Sequence, residues 1–108
     1  MIELAIINEC PNSAGAQELL GRALELEGLD PAAIKVSIIE TEQQAVDAGF
    51  HGSPSFMVDG ADLFPSVGEP AVSCRVYQTA NGLAGLPELE RLRAALAEAL
   101  QGTESQLR

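Results

Sequence analysis

Tryptophan is absent from the 108-residue chain, and one tyrosine and three phenylalanines make up its 4% aromatic content. The core must therefore be built from Leu, Ile, Val and Ala. Basic residues are also scarce: six Lys and Arg face 16 Asp and Glu, for a net charge of −10. Such a chain repels phosphate backbones and anionic lipid, which argues against nucleic acid and membrane as partners. The acids are dispersed, so their main effect is a solubilising surface. No apolar run approaches the roughly 18 residues of a membrane span. The N-terminus has no basic region and Glu3 interrupts its first apolar run, which argues against a signal peptide and for the cytoplasm. Two cysteines and one histidine cannot fill a four-ligand structural zinc site. In a reducing compartment a buried structural disulfide between the two is uncommon. Missing too are a phosphate-cradling Gly-rich loop with Lys, a Gly-x-Ser-x-Gly elbow and a dinucleotide fingerprint.

What remains fits one small α/β domain over residues 1–101, with a polar tail over 102–108. Residues 2–8 form an Ile-rich strand apolar on both faces, so buried on both sides. It leads into Cys10-Pro11, and a helix follows to about Leu26, with Asn12 or Ser13 as its cap. Ala16, Leu19, Leu20, Ala23 and Leu24 fall on one stripe of that helix, and Gly28 stops it. A second strand runs from Ile34 to about Glu40. Thr41 with Gln44 has the form of a capping box, predicting a short helix to about Ala48 and a stop near Gly49. After the Gly52-Ser53-Pro54 loop, Ser55–Val58 is a third strand, turned by Asp59-Gly60. Residues 61–73 show no period and read as an irregular excursion, longer than a hairpin turn and suited to a functional loop. Cys74–Gln78 reads as a fourth strand, Asn81-Gly82 as a turn, and Pro87 opens a last helix with Leu89, Leu92, Leu96 and Leu100 on its buried face. The order is β-α-β-α-β-β-α. Its first two β-α-β steps suggest parallel pairing, and its last two strands an antiparallel edge.

That order, with Cys10 at the first strand–helix junction and Gly52-Ser53-Pro54 opening the third strand, resembles the thioredoxin-like fold over nearly the whole chain. The resemblance implies a three-layer sandwich with a mixed four-stranded sheet. It also implies a cis Ser53-Pro54 bond packed beside a reactive Cys10. The redox centre of that family is Cys-x-x-Cys, whereas here it is Cys10-Pro11-Asn12-Ser13. Exchange by two vicinal thiols is excluded, and a one-thiol route through a mixed disulfide remains, with a thiol such as glutathione as partner. A narrower segment, Cys74-Arg75-Val76-Tyr77 followed by Gly82-Leu83-Ala84-Gly85-Leu86, is similar to the second-cysteine segment of organomercurial (alkylmercury) lyases. Those enzymes show a Cys-His-Val-His-like strand and a Gly-Leu-Glu-Gly-Leu run on a thioredoxin-like core. The separation of Cys10 from Cys74 is close to that family's spacing. The family's usual N-terminal domain has no counterpart here, and Ser13 stands where the family has Asp.

The residues themselves permit a thiol-centred chemistry. Helix N–H dipoles pointing at a sulfur stabilise its thiolate, the form that acts as nucleophile and soft-metal ligand, and the alternative for Cys10 is an inert packed thiol. Cys74 is either a core cysteine or, if the excursion returns it to the Cys10 end, a second thiol. Two neighbouring thiolates suit a thiophilic ion such as Hg(II) or Cu(I), or form a reversible disulfide. No cofactor is otherwise required. Carbon–mercury cleavage also needs an acid to protonate the leaving carbon. Ser13 is a poor donor, better suited to capping, and Glu9 and Asp62 are substitutes that nothing in the spacing selects. Without the acid, the expectation is metal binding with little or no cleavage. His51, beside the Gly52-Ser53-Pro54 loop, would activate a nearby thiol or is simply polar. Arg75 would favour a thiolate at Cys74, or make a surface ion pair. Three readings therefore compete: a mercury or soft-metal handling protein, a thiol-redox protein and a non-catalytic interaction domain.

Overall fold

The first strand, β1 (Ile2–Ile6), is an inner strand of the sheet, with Leu4 buried on one face and Ala5 on the other. It pairs in parallel with β2 (Ile34–Ile38), Ile2 opposite Ile34 and Ile6 opposite Ile38. On its other side it pairs with β3 (Ser55–Val58), Ile2 opposite Val58 and Ala5 opposite Ser55, which makes that pair antiparallel. A two-residue strand, β4 (Ala61–Asp62), closes the order β2-β1-β3-β4. A separate hairpin, β5 (Tyr77–Thr79) with β6 (Gly82–Ala84), forms a second small sheet. The helices are α1 (Ser13–Leu26), α2 (Glu42–Ala48) and α3 (Leu89–Gln106). The computed structural model describes residues 1–65 and 68–106, with side chains described through residue 100. Leu107 and Arg108, the end of the expected polar tail, lie outside the described residues, and the backbone is helical to Gln106.

Two expectations are corrected. The α2 step does not produce parallel pairing, because β3 runs antiparallel to β1. The loop that leads into β3 is anchored at the far end of β1, where Ser53 Oγ accepts from Ile7 N–H at 3.1 Å. The chain therefore enters β3 at the end of the sheet where β2 left it. The edge strand is not Cys74–Gln78 either. Asp59 and Gly60 both take positive φ, 51° and 83°, so the chain turns back within two residues and Ala61 pairs at once with Val58. With that edge filled, only Tyr77 and Gln78 of the expected strand lie in a ladder, as part of β5, which pairs with β6.

The capping chemistry follows the sequence closely. Thr41 Oγ1 accepts from Gln44 N–H at 3.1 Å, and Gln44 Oε1 accepts from Thr41 N–H at 3.1 Å, a complete capping box. Gly28 and Gly49, at φ 77° and 66°, end α1 and α2. After Gly28, Leu29 N–H reaches back to Leu24 C=O at 2.8 Å; after Gly49, Phe50 N–H reaches Ala45 C=O at 2.8 Å. At the start of α1 neither expected cap forms. Asn12 holds the N-cap position without a side-chain bond, and Ser13 Oγ donates to Cys10 C=O.

Alternation along the strands divides the core. Leu4, Phe56 and Val58 face Ala16, Leu20, Ala23 and Leu24 of α1 and Leu92 and Leu96 of α3. Ala5 and Met57 face the other way, against Ala45 of α2, Ile39 and Phe50. Helices thus cover both faces of the four-stranded mixed sheet. Among the described residues no helix is long and apolar enough to cross a membrane.

Candidate functional site

Ser53, which is fully buried, joins the end of β1 to the segment that carries Cys74. Its Oγ accepts from Ile7 N–H at 3.1 Å, just past the end of β1. Its own N–H donates to Ser73 C=O at 2.8 Å, and its C=O accepts from Arg75 N–H at 3.0 Å. Ser53 is thereby bridged in parallel to Cys74. The Ser53-Pro54 bond is cis. Gly52 permits this close approach: at φ 115°, a Cβ there would lie 2.9 Å from Arg75 Cβ and 3.3 Å from its Cα. Of the expected excursion over 61–73, Ala61–Asp62 form β4, residues 66–67 lie outside the described residues, and Ser73–Arg75 lie against the Ser53 loop.

Cys10 ends the turn that follows β1. It is buried, 6% exposed, whereas Cys74 is exposed, and both are free thiols. Pro11 lies in the turn before the helix, closed by Ser13 N–H to Cys10 C=O at 3.2 Å. Ser13 Oγ donates to the same carbonyl at 3.0 Å, so its hydroxyl proton is already committed. The run after Gly82 covers this turn. A Cβ on Gly85 would overlap the Asn12 amide, and one on Gly15 would lie 3.1 Å from Leu86 Cδ1. Glu9, exposed and at φ 59°, takes the left-handed backbone that turns the chain into Cys10.

Arg75 makes an ion pair, but a buried one. Its Nη1 donates to Asp62 Oδ2 at 2.7 Å and to Ser55 Oγ at 3.1 Å, and its Nη2 donates to Phe64 C=O. Ser55 Oγ in turn donates to Gly52 C=O at 2.6 Å. The guanidinium stacks on Tyr77, 4.8 Å from the ring centroid. Tyr77 Oη donates to Pro54 C=O, and burial pushes the phenol well above its ordinary range, against the opposing pull of Arg75. Edge-on contacts with Phe56 and Phe64 complete the cluster. The sequence gives no sign of this network beyond the residue types, since its members come from three separate segments, 52–56, 62–64 and 75–77. Asp62 is committed to Arg75 and is no free acid.

A cleft of about 540 Å³ adjoins the network. Its wall includes His51, Phe64, Cys74, Tyr77, Pro87 and Arg91, and Cys10 is not part of it. The structure therefore sets His51 on a common surface with Cys74. His51 Nδ1 is buried and makes no hydrogen bond. Pro87, just before α3, and Arg91, in its first turn, are among the members that sequence reasoning missed. Their link to Cys74 exists only in three dimensions. Among the described residues, no group of three or more His, Cys, Asp or Glu side chains is placed to hold a metal ion. Comparison with known protein families, curated proteins and solved structures finds no match to this chain.

Proposed function

We propose that this is a thioredoxin-like thiol protein that captures a small thiophilic ligand, a soft metal ion or an organomercurial, through Cys74 and Cys10. The observation that carries this reading is the bridge between Ser53 and Cys74. It ties an exposed thiol to the cis-proline loop, and Ser53 is tied in turn to the end of β1 that leads to Cys10. Thiolates are the side chains that soft ions select. Capture releases protons: two thiols that bind one Hg(II) form two S–Hg bonds and give up two S–H protons. Carbon–mercury cleavage is not expected. Ser13 is hydrogen-bonded to Cys10 C=O, Asp62 is paired with Arg75, and Glu9 is exposed at a turn. No one of the three is a ready acid for a leaving carbon.

The ligand is small because the edge beside the cis bond is closed. Both main-chain groups of Ser53 are already bonded to residues 73 and 75. An extended polypeptide finds no N–H or C=O there with which to pair. That disfavours a disulfide exchange enzyme for protein substrates and leaves a small-molecule mixed disulfide as the second reading.

The test is a stoichiometric titration of the reduced protein with Hg(II), followed by counting the thiols that still react with a small disulfide reagent. A shared site consumes both thiols at one equivalent. Independent thiols leave one reactive at that point, and tight binding by Cys74→Ala equal to the parent's sinks the paired reading. Phenylmercury added to the same protein should bind without release of benzene.

A further inference from the structure

The charge of the molecule is sorted unevenly around Cys74. Sixteen carboxylates outnumber six Lys and Arg in the chain, yet among the described residues no carboxylate lines the cleft beside Cys74. Two of the six basic side chains and the sole histidine line it instead. Arg75 is neutralised by Asp62. Arg91 is different: it is exposed, donates from Nη1 to Gln78 C=O at 3.2 Å, and makes no ion pair among the described residues. The two carboxylates nearest to it in sequence are turned to other partners. Glu88 accepts from Ala80 N–H at 3.2 Å, and Glu90 pairs with Arg93 at 3.2 Å. A cleft that holds an exposed thiol and an uncompensated guanidinium, in a protein of this net charge, is built against the field of the rest of the surface.

We infer that this cleft selects small thiophilic ligands that carry a negative charge, with Arg91 as the anchor for the anionic group and Cys74 as the attachment point. The chemical class is a low-molecular-weight disulfide or metal–thiolate adduct bearing a carboxylate or sulfonate, to which Cys74 attaches by displacing one thiolate from the sulfur or the metal. Guanidinium forks match such oxyanions in geometry and retain their charge under all ordinary conditions. Low-dielectric walls such as Phe64, Pro87 and Tyr77 strengthen the attraction over what it would be in water. This inference rests on the reading that Cys74 is the thiol that meets the ligand. It adds the sign of the ligand's charge, which that reading leaves open.

The test uses three methanethiosulfonate probes: two that transfer substituted ethyl groups of opposite charge, anionic sulfonatoethyl and cationic trimethylammonioethyl, and a smaller neutral one that transfers methyl. In each case the Cys74 sulfur donates an electron pair to the sulfenyl sulfur. A new S–S bond forms, the bond to the sulfonyl sulfur breaks, methanesulfinate leaves with that bond's electrons, and the thiol proton goes to solvent. Modification of Cys74 in the intact protein is followed by peptide mass mapping, and each rate is divided by that of a free small thiol in the same buffer. The anionic probe is expected to be preferred over the cationic one by about threefold or more at low salt, and the preference to fade as salt is raised. Arg91→Glu should reverse it, whereas Arg22→Glu, the same charge change on an exposed residue outside the cleft, should leave the anionic probe ahead. A cationic preference in the parent, or an equal response to Arg91→Glu and Arg22→Glu, overturns the inference while leaving mercury capture intact. A Cys74 that reacts with none of the probes overturns both. Loss of the shared-site mercury stoichiometry with the anionic preference retained removes only the pairing with Cys10.

Discussion

Arg75 Nη1 lies 2.7 Å from Asp62 Oδ2, and both side chains are about nine-tenths buried. This pair links the segment that carries Cys74 to the edge strand β4, so the position of the exposed thiol depends on a desolvated charge pair. Removing one partner leaves the other charge buried and uncompensated, at a cost of about 3–5 kcal/mol. A domain of this kind has a total stability of about 5–15 kcal/mol. Asp62→Ala is therefore expected to remove a large part of it. The double variant Arg75→Met/Asp62→Leu should be more stable than Asp62→Ala, since no lone charge is left inside. Urea unfolding midpoints check this. Equal midpoints for parent and Asp62→Ala would show that the pair is solvated in solution.

Tyr77 offers a test by pH. The phenol is nearly fully buried and donates to Pro54 C=O, so its neutral form is favoured in the folded state and its titration is pushed up. An unfolded chain releases that proton near the ordinary phenol value of about 10. Below that pH the stabilisation is fully present. Above it the unfolded state binds fewer protons than the folded one, so stability falls by about 1.4 kcal/mol per pH unit until the folded phenol itself ionises. Tyr77→Phe should lose about 1–3 kcal/mol at neutral pH, because Pro54 C=O is left buried and unpaired. The same variant should show a shallower decline than the parent above pH 10, measured by chemical denaturation. Parallel declines would mean that the phenol is open to solvent.

Much of the fold is visible in the sequence because the signals are local. The Thr41/Gln44 box, the glycines that stop α1 and α2, and the Asp59-Gly60 turn each work through residues a few positions apart, and each is present as read. What the sequence misplaces depends on competition between distant segments. Cys74–Gln78 has strand composition, but Ala61–Asp62 reaches the sheet edge first, so only its Tyr77 and Gln78 lie in a ladder, within the β5–β6 hairpin. The orientation of β3 is another such case: the loop before it is held at the end of β1 by the bond from Ile7 N–H to Ser53 Oγ, 46 positions apart in sequence. At the site, Cys10, Ser53, Pro54 and Cys74 stand out by residue type and local position. Arg91 does not. Its relevance comes from packing the start of α3 beside Cys74, and no periodicity encodes that.

Gly52 is the narrowest point in this arrangement. A side chain there meets two obstacles at once. Its φ of 115° is one that L residues rarely adopt, and its Cβ would sit 2.9 Å from Arg75 Cβ and 3.3 Å from Arg75 Cα, part of which is backbone and cannot swing aside. Gly52→Ala should therefore cost about 1–3 kcal/mol from backbone strain, with a further loss as the bridge between Ser53 and Cys74 opens. Gly60→Ala controls for backbone strain alone, since φ is also positive there, 83°, and a Cβ would meet nothing within 4 Å. Hydrogen exchange at the amides of Ser53 and Arg75, which donate across the bridge, should accelerate in Gly52→Ala and not in Gly60→Ala. Similar exchange in both variants would mean that the contact with Arg75 carries no weight.

The two thiols should differ sharply in access, and the order of reaction bears directly on which of them a ligand meets first. Cys10 is 6% exposed, covered at its turn by the Gly85-Leu86 segment, while Cys74 is exposed and borders a cleft. Site-selective thiol chemistry follows exposure as well as thiolate character. Iodoacetamide under native conditions is therefore expected to label Cys74 faster than Cys10 by on the order of tenfold. Denaturant should abolish the difference. Gly85→Ala displaces the Asn12 amide that packs over the same turn, so it should raise the Cys10 rate while leaving Cys74 unchanged. Peptide mapping of both sites over time gives the two rates separately. Faster labelling of Cys10 in the native parent would make the helix-start thiol the point of entry and reduce Cys74 to a secondary ligand. Labelling of Cys74 first makes capture sequential: the exposed thiol takes the ligand, and the buried thiol receives it only if the covering segment moves, as Gly85→Ala would force it to.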